Sequence, residues 1–244
     1  MGSMAAVIFM RTPIIMPTNS KTNSLAYLRL MQLVSPSLPI GGFTYSQGLE
    51  YAVECGWVKD ASALEDWLEG LLADSMTYLD LPILRRLYEA ITLKENEALM
   101  YWSDYLLASR ESRELRQEEV SRARALTILL PNLGVSYDDE MSDAMNITQL
   151  TPFALAAVTW GISLHETALG YAWSWLENQV SAAIKLVPLG QTQGQQVQLR
   201  IAEKIPQAIE IGLLLDDEDI GACAPALGIL SGRHETQYSR LFRS

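Results

Sequence analysis

The two histidines of the chain, His165 and His234, each precede a glutamate, which is the first half of the H-E-x-x-H zinc pattern. Leu169 and Tyr238 occupy the positions where the second histidine of that pattern belongs. Because the sequence holds no other histidine, a single-metal catalytic site would need carboxylate ligands alone or ligands from a second chain. We therefore predict no resident metal or cofactor, and a structural role for His165 in the first turn of a helix.

A run of acidic residues, Asp216–Asp219, is the other candidate for metal chemistry. A calcium loop that starts at Asp216 would have glycine correctly at its sixth position, but Ile220 and Leu227 stand where oxygen ligands belong. We interpret the run as a solvated acidic loop. An all-α metal-dependent enzyme built on this run and Glu50 is the competing hypothesis.

Motifs for nucleotide hydrolysis and for nucleophilic catalysis are missing from the sequence. It contains neither the phosphate-binding G-x-x-x-x-G-K-[ST] pattern nor the G-x-S-x-G turn of serine hydrolases. Cys55 and Cys223 lie far apart without a C-x-x-C motif, which excludes a disulfide framework or a thiolate zinc cluster within one chain. These observations predict a protein that is not an enzyme.

One segment with binding chemistry is residues 35–50, SPSLPIGGFTYSQGLE, in which paired prolines and glycines run into a helix. Glycine permits positive φ angles and close backbone approach, and the N-terminus of the following helix can accept an anion. The aromatic residues Phe43 and Tyr45 follow the glycine pair directly. We therefore predict a shaped loop that presents aromatic side chains.

The second segment is residues 231–244, SGRHETQYSRLFRS, which is polar and holds three arginines. Its apolar residues Tyr238, Leu241 and Phe242 lack the spacing of a stripe that covers a core. Large apolar residues in a polar terminal segment indicate a region that becomes ordered on a partner. We expect this tail to be mobile in the free protein.

The elements that position residues 35–50 and 231–244 are predicted to be helices, since apolar residues recur with the helical period from residue 24 onward. One apolar stripe follows the spacing i, i+3, i+4, i+7, i+8 at Leu64, Trp67, Leu68, Leu71 and Leu72. The S-x-x-E pattern predicts capping boxes at residues 62–65 and 163–166, and Asp80 is predicted to cap a helix that begins beside Pro82.

Alternating strand patterns are almost absent, so the sequence predicts an all-α, single-domain helical bundle of about nine or ten helices. We expect residues 1–23 to form a flexible arm that is partly an expression scar. Residues 24–231 would form the helical domain, and residues 232–244 a tail that binds a partner.

Arginine and glutamate alternate in residues 110–124. The i, i+4 pairs Arg110–Glu114 and Glu118–Arg122 predict an exposed helix with surface salt bridges. The alternative is a docking face that presents arginines to a partner.

Composition limits the classes of partner. The chain has 244 residues with 18 Lys+Arg against 29 Asp+Glu, a net charge of −11 at pH 7. An acidic chain lacks the basic footprint that nucleic-acid binding needs. No apolar run approaches the ~20 residues of a membrane-spanning helix, and no secretory signal pattern opens the sequence. We therefore expect a cytoplasmic protein with no membrane or nucleic-acid partner.

Three stretches in register closely resemble the family of urease accessory proteins called UreF: LPIGGFTYSQGLE at residues 38–50, KLVPLGQ at 185–191 and HETQYSRLFRS at 234–244. The resemblance implies an all-α, usually dimeric protein that acts as a nickel-insertion chaperone. Family members bridge a second accessory protein, UreD (UreH in some organisms), and the nickel-carrying GTPase UreG, and this assembly activates apo-urease. Stimulation of the GTPase through an arginine is the alternative role.

Carried over by position, the resemblance implies that Phe43 and Arg240 serve in recruiting the GTPase, with Lys185 near the same surface. The partner-binding residues that it implies fall in the same three stretches: Gly41, Gly42, Phe43, Tyr45, Gln47, Glu50, Lys185, Arg233, His234, Glu235, Tyr238, Arg240, Leu241 and Phe242.

Overall fold

The computed structural model describes residues 20–221 and 224–244, and within them the secondary structure is helical throughout. Eleven α-helices follow one another in this part of the chain: α1 (Ser20–Leu33), α2 (Leu49–Glu54), α3 (Ala61–Leu71), α4 (Leu81–Leu93), α5 (Asn96–Ser109), α6 (Arg113–Leu129), α7 (Leu150–Thr159), α8 (Leu164–Leu186), α9 (Gln191–Ala202), α10 (Ile205–Gly212) and α11 (Pro225–His234). The all-α, single-domain fold is therefore confirmed. The number of helices exceeds the nine or ten predicted, since the chain also forms two short helices, α2 with 6 residues and α10 with 8.

The core lies between α4, α7 and α8. Helix α4 packs on α5 and α7, and the 23-residue helix α8 packs on α9, α10 and α2. Eight of the ten residues of α7 are buried, which explains why this helix is apolar on all sides. None of the helices in the described residues has the length and hydropathy needed to cross a bilayer.

Side-chain caps fix where several helices begin. The predicted capping box of α8 is confirmed, because Ser163 and Glu166 exchange side chain-to-backbone hydrogen bonds of 3.1 and 3.3 Å. The box predicted at Ser62 is wrong, since the side chain of Asp60 caps α3 by accepting a 3.0 Å bond from the N–H of Ala63. Because the cap lies at Asp60, α3 begins two residues earlier than the pattern indicates.

Asp80 is not the helix cap that the sequence predicts. A π-helical stretch, Leu72–Asp80, joins α3 to α4 without a break, so Asp80 lies inside a continuous helix. Its buried carboxylate instead accepts bonds of 2.6 and 3.2 Å from the guanidinium of Arg110 and a 2.9 Å bond from the hydroxyl of Tyr171. A π-helical insertion of this kind redirects side chains and is common where a helix serves a special role.

The prediction of an exposed, salt-bridged helix over residues 110–124 is correct for one exposed face of α6 but wrong for its ion pairs, which are buried. Arg110 pairs with Asp80 and Glu119 rather than with Glu114, and these side chains are buried. The predicted pair of Arg122 with Glu118 forms at 2.9 Å but is likewise buried. Burial by itself would lower the pKa of Arg110, yet the neighbouring carboxylates raise that pKa well above its usual value.

Candidate functional site: the glycine segment and the tail

The glycine segment, residues 38–50, turns sharply at three left-handed positions. Gly41 has φ 74°, Gly48 has φ 79° and the non-glycine residue Gln47 has φ 51°. A side chain on Gly48 would lie 3.3 Å from the backbone nitrogen of Ser231, so glycine there lets α11 approach closely. These turns leave Phe43 55% exposed while Tyr45 is buried.

Gln47 compensates for its unfavourable backbone with three side-chain hydrogen bonds. Its Nε2 donates to Oε1 of Glu118 at 3.0 Å. Its Oε1 accepts from Nε1 of Trp175 at 3.1 Å and from Nε2 of Gln179 at 3.0 Å. A left-handed non-glycine residue costs on the order of 1 kcal/mol or more. These bonds hold the glycine segment on α6 and α8 despite that cost.

The tail, residues 232–244, lies on the body instead of lacking contacts with it. Phe242 is only 6% exposed and belongs to the hydrophobic core, which corrects the expectation that it covers nothing. The ammonium of Lys185 on α8 lies 5.5 Å from the centre of the Phe242 ring, within cation–π range. Tyr238 and Leu241 are exposed, as their spacing predicts.

Backbone hydrogen bonds join the tail to the glycine segment. The N–H of Arg243 donates to the carbonyl of Thr44 at 2.9 Å. The N–H of Ser46 donates to the carbonyl of Ser244 at 2.7 Å, and the hydroxyl of Ser46 bonds to the same oxygen. The hydroxyl of Ser244 donates to Glu118 at 3.1 Å. Two segments nearly 200 residues apart in the chain therefore form one continuous surface.

Glu50, the first-turn acid of α2, is the main receptor for the tail. Its two buried oxygens accept the backbone N–H groups of Leu241 at 2.6 Å and Phe242 at 2.8 Å. One of these oxygens also lies 3.2 Å from Nε2 of His234. Glu50 thus accepts two backbone donors and lies against a histidine nitrogen, which leaves it poorly suited to the ligand role of the competing enzyme hypothesis. In the part of the chain that the structure describes, no group of three His, Cys, Asp or Glu is arranged to hold a metal ion.

His234 and Arg240 meet on a residue that the sequence does not single out as a site residue, Glu114 of α6. Nδ1 of His234 lies 2.6 Å from Oε2 of Glu114, and Nη1 of Arg240 donates to Oε1 at 2.6 Å. Arg240 nevertheless stays 41% exposed, whereas His234 is fully buried. The sequence gives no signal of this role for Glu114, because its pattern predicts an acid on a solvent-exposed helix.

The remaining predicted site residues border this region. Arg233 is exposed in the last turn of α11. Glu235 accepts the N–H of Arg113 at 2.8 Å, which caps the start of α6. Gly42 lies against α6 and α8, where an added side chain would come 3.2 Å from Asn178. The acidic run Asp216–Asp219 forms no site with them, and its Asp217 pairs with Arg86.

Comparison with known proteins decides the family. The family model described as UreF matches residues 58–202. The chain is also 51% identical over 228 residues to the urease accessory protein UreF of Alcanivorax borkumensis, an alignment that covers 91% of this chain and 100% of that protein. The chain belongs to the UreF family.

Two further relatives support the same placement. UreF of Pseudomonas entomophila is 47% identical over 220 residues, covering 90% of this chain and 98% of that protein. UreF of Alkalilimnicola ehrlichii is 48% identical over 227 residues, covering 93% of this chain and all of that protein. Membership of the UreF family implies an accessory role in urease maturation.

Proposed function

We propose that this UreF-family protein acts as a scaffold that bridges UreD (UreH) and the GTPase UreG, so that nickel is inserted into apo-urease. The protein would catalyse no reaction itself, would act as a homodimer and would work in the cytoplasm. The observation that supports a bridging role is the single surface formed by the glycine segment and the tail. Buried bonds hold this surface, while Phe43, Tyr238 and Leu241 are exposed on it.

The surface has the features of a binding patch that is organised before the partner arrives. Phe43, Tyr238 and Leu241 are exposed. The backbone at Leu241 is fixed by Glu50, and the segment that carries Phe43 is fixed by the bond between Thr44 and Arg243. Pre-ordered aromatic and aliphatic side chains bind with a smaller loss of conformational entropy than mobile ones. Tyrosine and arginine are over-represented among the few residues that carry most of the energy of a typical interface.

We assign the two partners to different parts of this surface. Tyr238 and Leu241 would bind UreD, because they are the exposed apolar residues of the tail. Phe43 and Arg240 would recruit UreG, with Lys185 beside them. Arg240 is held by Glu114 rather than extended into solvent, which favours a positioning role over an arginine inserted into the active site of the GTPase.

Paired pull-downs test this assignment, because the chain offers matched control positions. Leu241→Ala should lose UreD, whereas Leu199→Ala on α9 should not, and both leucines are 64% exposed. Phe43→Ala should lose UreG but keep UreD. Trp57→Ala is its control, since Trp57 is 54% exposed and Phe43 55%. Normal binding of both partners by the Leu241 and Phe43 variants would overturn the proposal.

A further inference from the structure

A groove that carries positive charge lies between the start of α6 and the tail. It has a volume of about 470 Å³, and three arginines line it: Arg113 of α6 and Arg240 and Arg243 of the tail. The chain as a whole has a net charge of −11 at pH 7. The local charge of this groove is therefore opposite in sign to that of the protein.

Two carboxylates also line the groove, but both have partners within the protein. Glu114 accepts from Arg240 at 2.6 Å and lies 2.6 Å from Nδ1 of His234. Glu235 accepts the backbone N–H of Arg113 at 2.8 Å. Because three arginines and two glutamates line the groove, a net positive charge remains there.

The unpaired positive charge belongs to Arg113 and Arg243. Both side chains are exposed, and neither forms an ion pair with a carboxylate among the residues that the structure describes. Their backbone is fixed, since Arg113 begins α6 and the N–H of Arg243 donates to the carbonyl of Thr44 at 2.9 Å. The positive end of the α6 dipole adds to the potential at Arg113. The groove thus presents two cations on a backbone that is already in place.

Tyr45 is a second, independent feature of the groove. It borders the groove and is only 6% exposed, yet its hydroxyl forms no hydrogen bond with any described residue. Polar groups of residues buried to this extent ordinarily have a partner. A hydroxyl without one, beside two unpaired guanidinium groups, indicates a place for a ligand that carries hydrogen-bond acceptors.

We propose that this groove binds an acidic segment of the GTPase UreG, with carboxylates on Arg113 and Arg243 and with Tyr45 as a further donor. A guanidinium forms paired N–H···O bonds with a carboxylate. The volume of the groove lies within the roughly 300–1,000 Å³ of clefts that hold a drug-sized ligand, which is more than a single ion requires. The inference rests on the proposed function, because Arg240, which lines the same groove, is assigned there to the recruitment of UreG.

The charge of the rest of the protein gives the groove a role in specificity. An acidic segment is repelled by a body with a net charge of −11 and is attracted at the groove. Complementary charges of this kind steer association and fix register more than they raise affinity. Arg113 and Arg243 would therefore fix where UreG docks, while the exposed Phe43 supplies an apolar contact.

The affinity of purified UreG for the complex of the full chain with UreD tests the groove. Arg113→Gln and Arg243→Gln should each weaken this binding about tenfold, because each removes charge-assisted hydrogen bonds. Arg124→Gln is the matched control, since Arg124 is exposed on the same helix but does not line the groove, and its replacement removes the same charge.

Two further measurements separate the parts of the groove. Tyr45→Phe should weaken binding of UreG about 2–10-fold without lowering Tm, because the hydroxyl bonds to no described residue. Added NaCl should reduce the affinity of the wild-type protein more steeply than that of the Arg113 and Arg243 variants, since salt screens exposed charges.

The outcomes distinguish the groove from the proposed function. Wild-type affinity and salt dependence in Arg113→Gln and Arg243→Gln, together with loss of UreG in Phe43→Ala, would refute the groove and leave the proposed recruitment of UreG standing. An equal loss in Arg124→Gln would also refute the groove, because the effect would then reflect net charge alone. Wild-type binding by all of these variants, including Phe43→Ala, would refute both.

Discussion

Phe242 and Phe43 form a natural pair for testing whether the tail belongs to the folded body. They are the same residue type, but Phe242 is 6% exposed and Phe43 is 55% exposed. Phe242→Ala removes a ring that contacts the core and lies beneath the ammonium of Lys185. The sequence predicts that the tail is mobile, whereas the structure shows that the ring of Phe242 is buried.

The size of the effect follows from this burial. Replacing a core phenylalanine with alanine costs about 3–5 kcal/mol, and a surface change is usually within about 0.5 kcal/mol. For Phe242→Ala we expect a loss of stability at the lower end of the core range. The tail can detach locally, so the loss of stability cannot exceed the free energy with which the tail docks on the body. In a chain of this size about 3 kcal/mol lowers Tm by roughly 6–12 °C.

Thermal unfolding of both variants, with amide exchange of residues 240–244, provides the measurement. Phe242→Ala should lower Tm and remove protection from the N–H of Leu241. Phe43→Ala should change neither quantity. Equal and unchanged Tm values for the two variants, with Leu241 still protected, would show that Phe242 contributes nothing to the fold and would refute the reasoning.

Three further predictions concern function and local structure. Arg240→Ala should keep the fold and UreD binding but weaken UreG binding by about 2–5 kcal/mol. Arg240→Lys should restore little of this binding, because lysine lacks the planar fork of the guanidinium. Pull-downs and urease activation in cells test this prediction, with the exposed Arg124→Ala as control. The isolated protein should release no phosphate from GTP and show no tight stoichiometric site for nickel by calorimetry; turnover abolished by a point mutation within the chain would contradict this. Gly48→Ala should lower Tm more than Gly56→Ala, because both have φ near 80° but only Gly48 packs closely on Ser231; equal shifts would mean that the close approach of α11 is unimportant.

The sequence predicts those features of the fold that depend on neighbours in the chain. The all-α class follows from the spacing of apolar residues, and the Ser163 cap follows from a pattern of four residues. The glycine segment and the tail stand out because their composition suits neither a helix nor a solvated loop. These signals are local, but a local pattern is not sufficient by itself, since the caps predicted in the same way at Ser62 and Asp80 are wrong.

The contacts that hold the site are long-range and leave no such signal. Arg110 has an acid four residues away at Glu114, but its partners are Glu119 and Asp80, which lies 30 residues away in the chain. An arginine that pairs in the core looks the same in sequence as one on a surface. Phe242 likewise covers a gap between elements rather than a helical stripe, so periodicity does not reveal its burial.

The bond between Ser46 and Ser244 joins positions 198 residues apart, which has a consequence for biosynthesis. At about 5–20 residues per second, a ribosome makes the end of this surface roughly 10–40 seconds after the glycine segment. During that interval the segment lacks its counterpart, and Glu50 has no tail to hold. A nascent chain therefore cannot display the complete surface, and a chain cut short before residue 240 never displays it. The scaffold would become ready to recruit other proteins only after residue 244 has been synthesised.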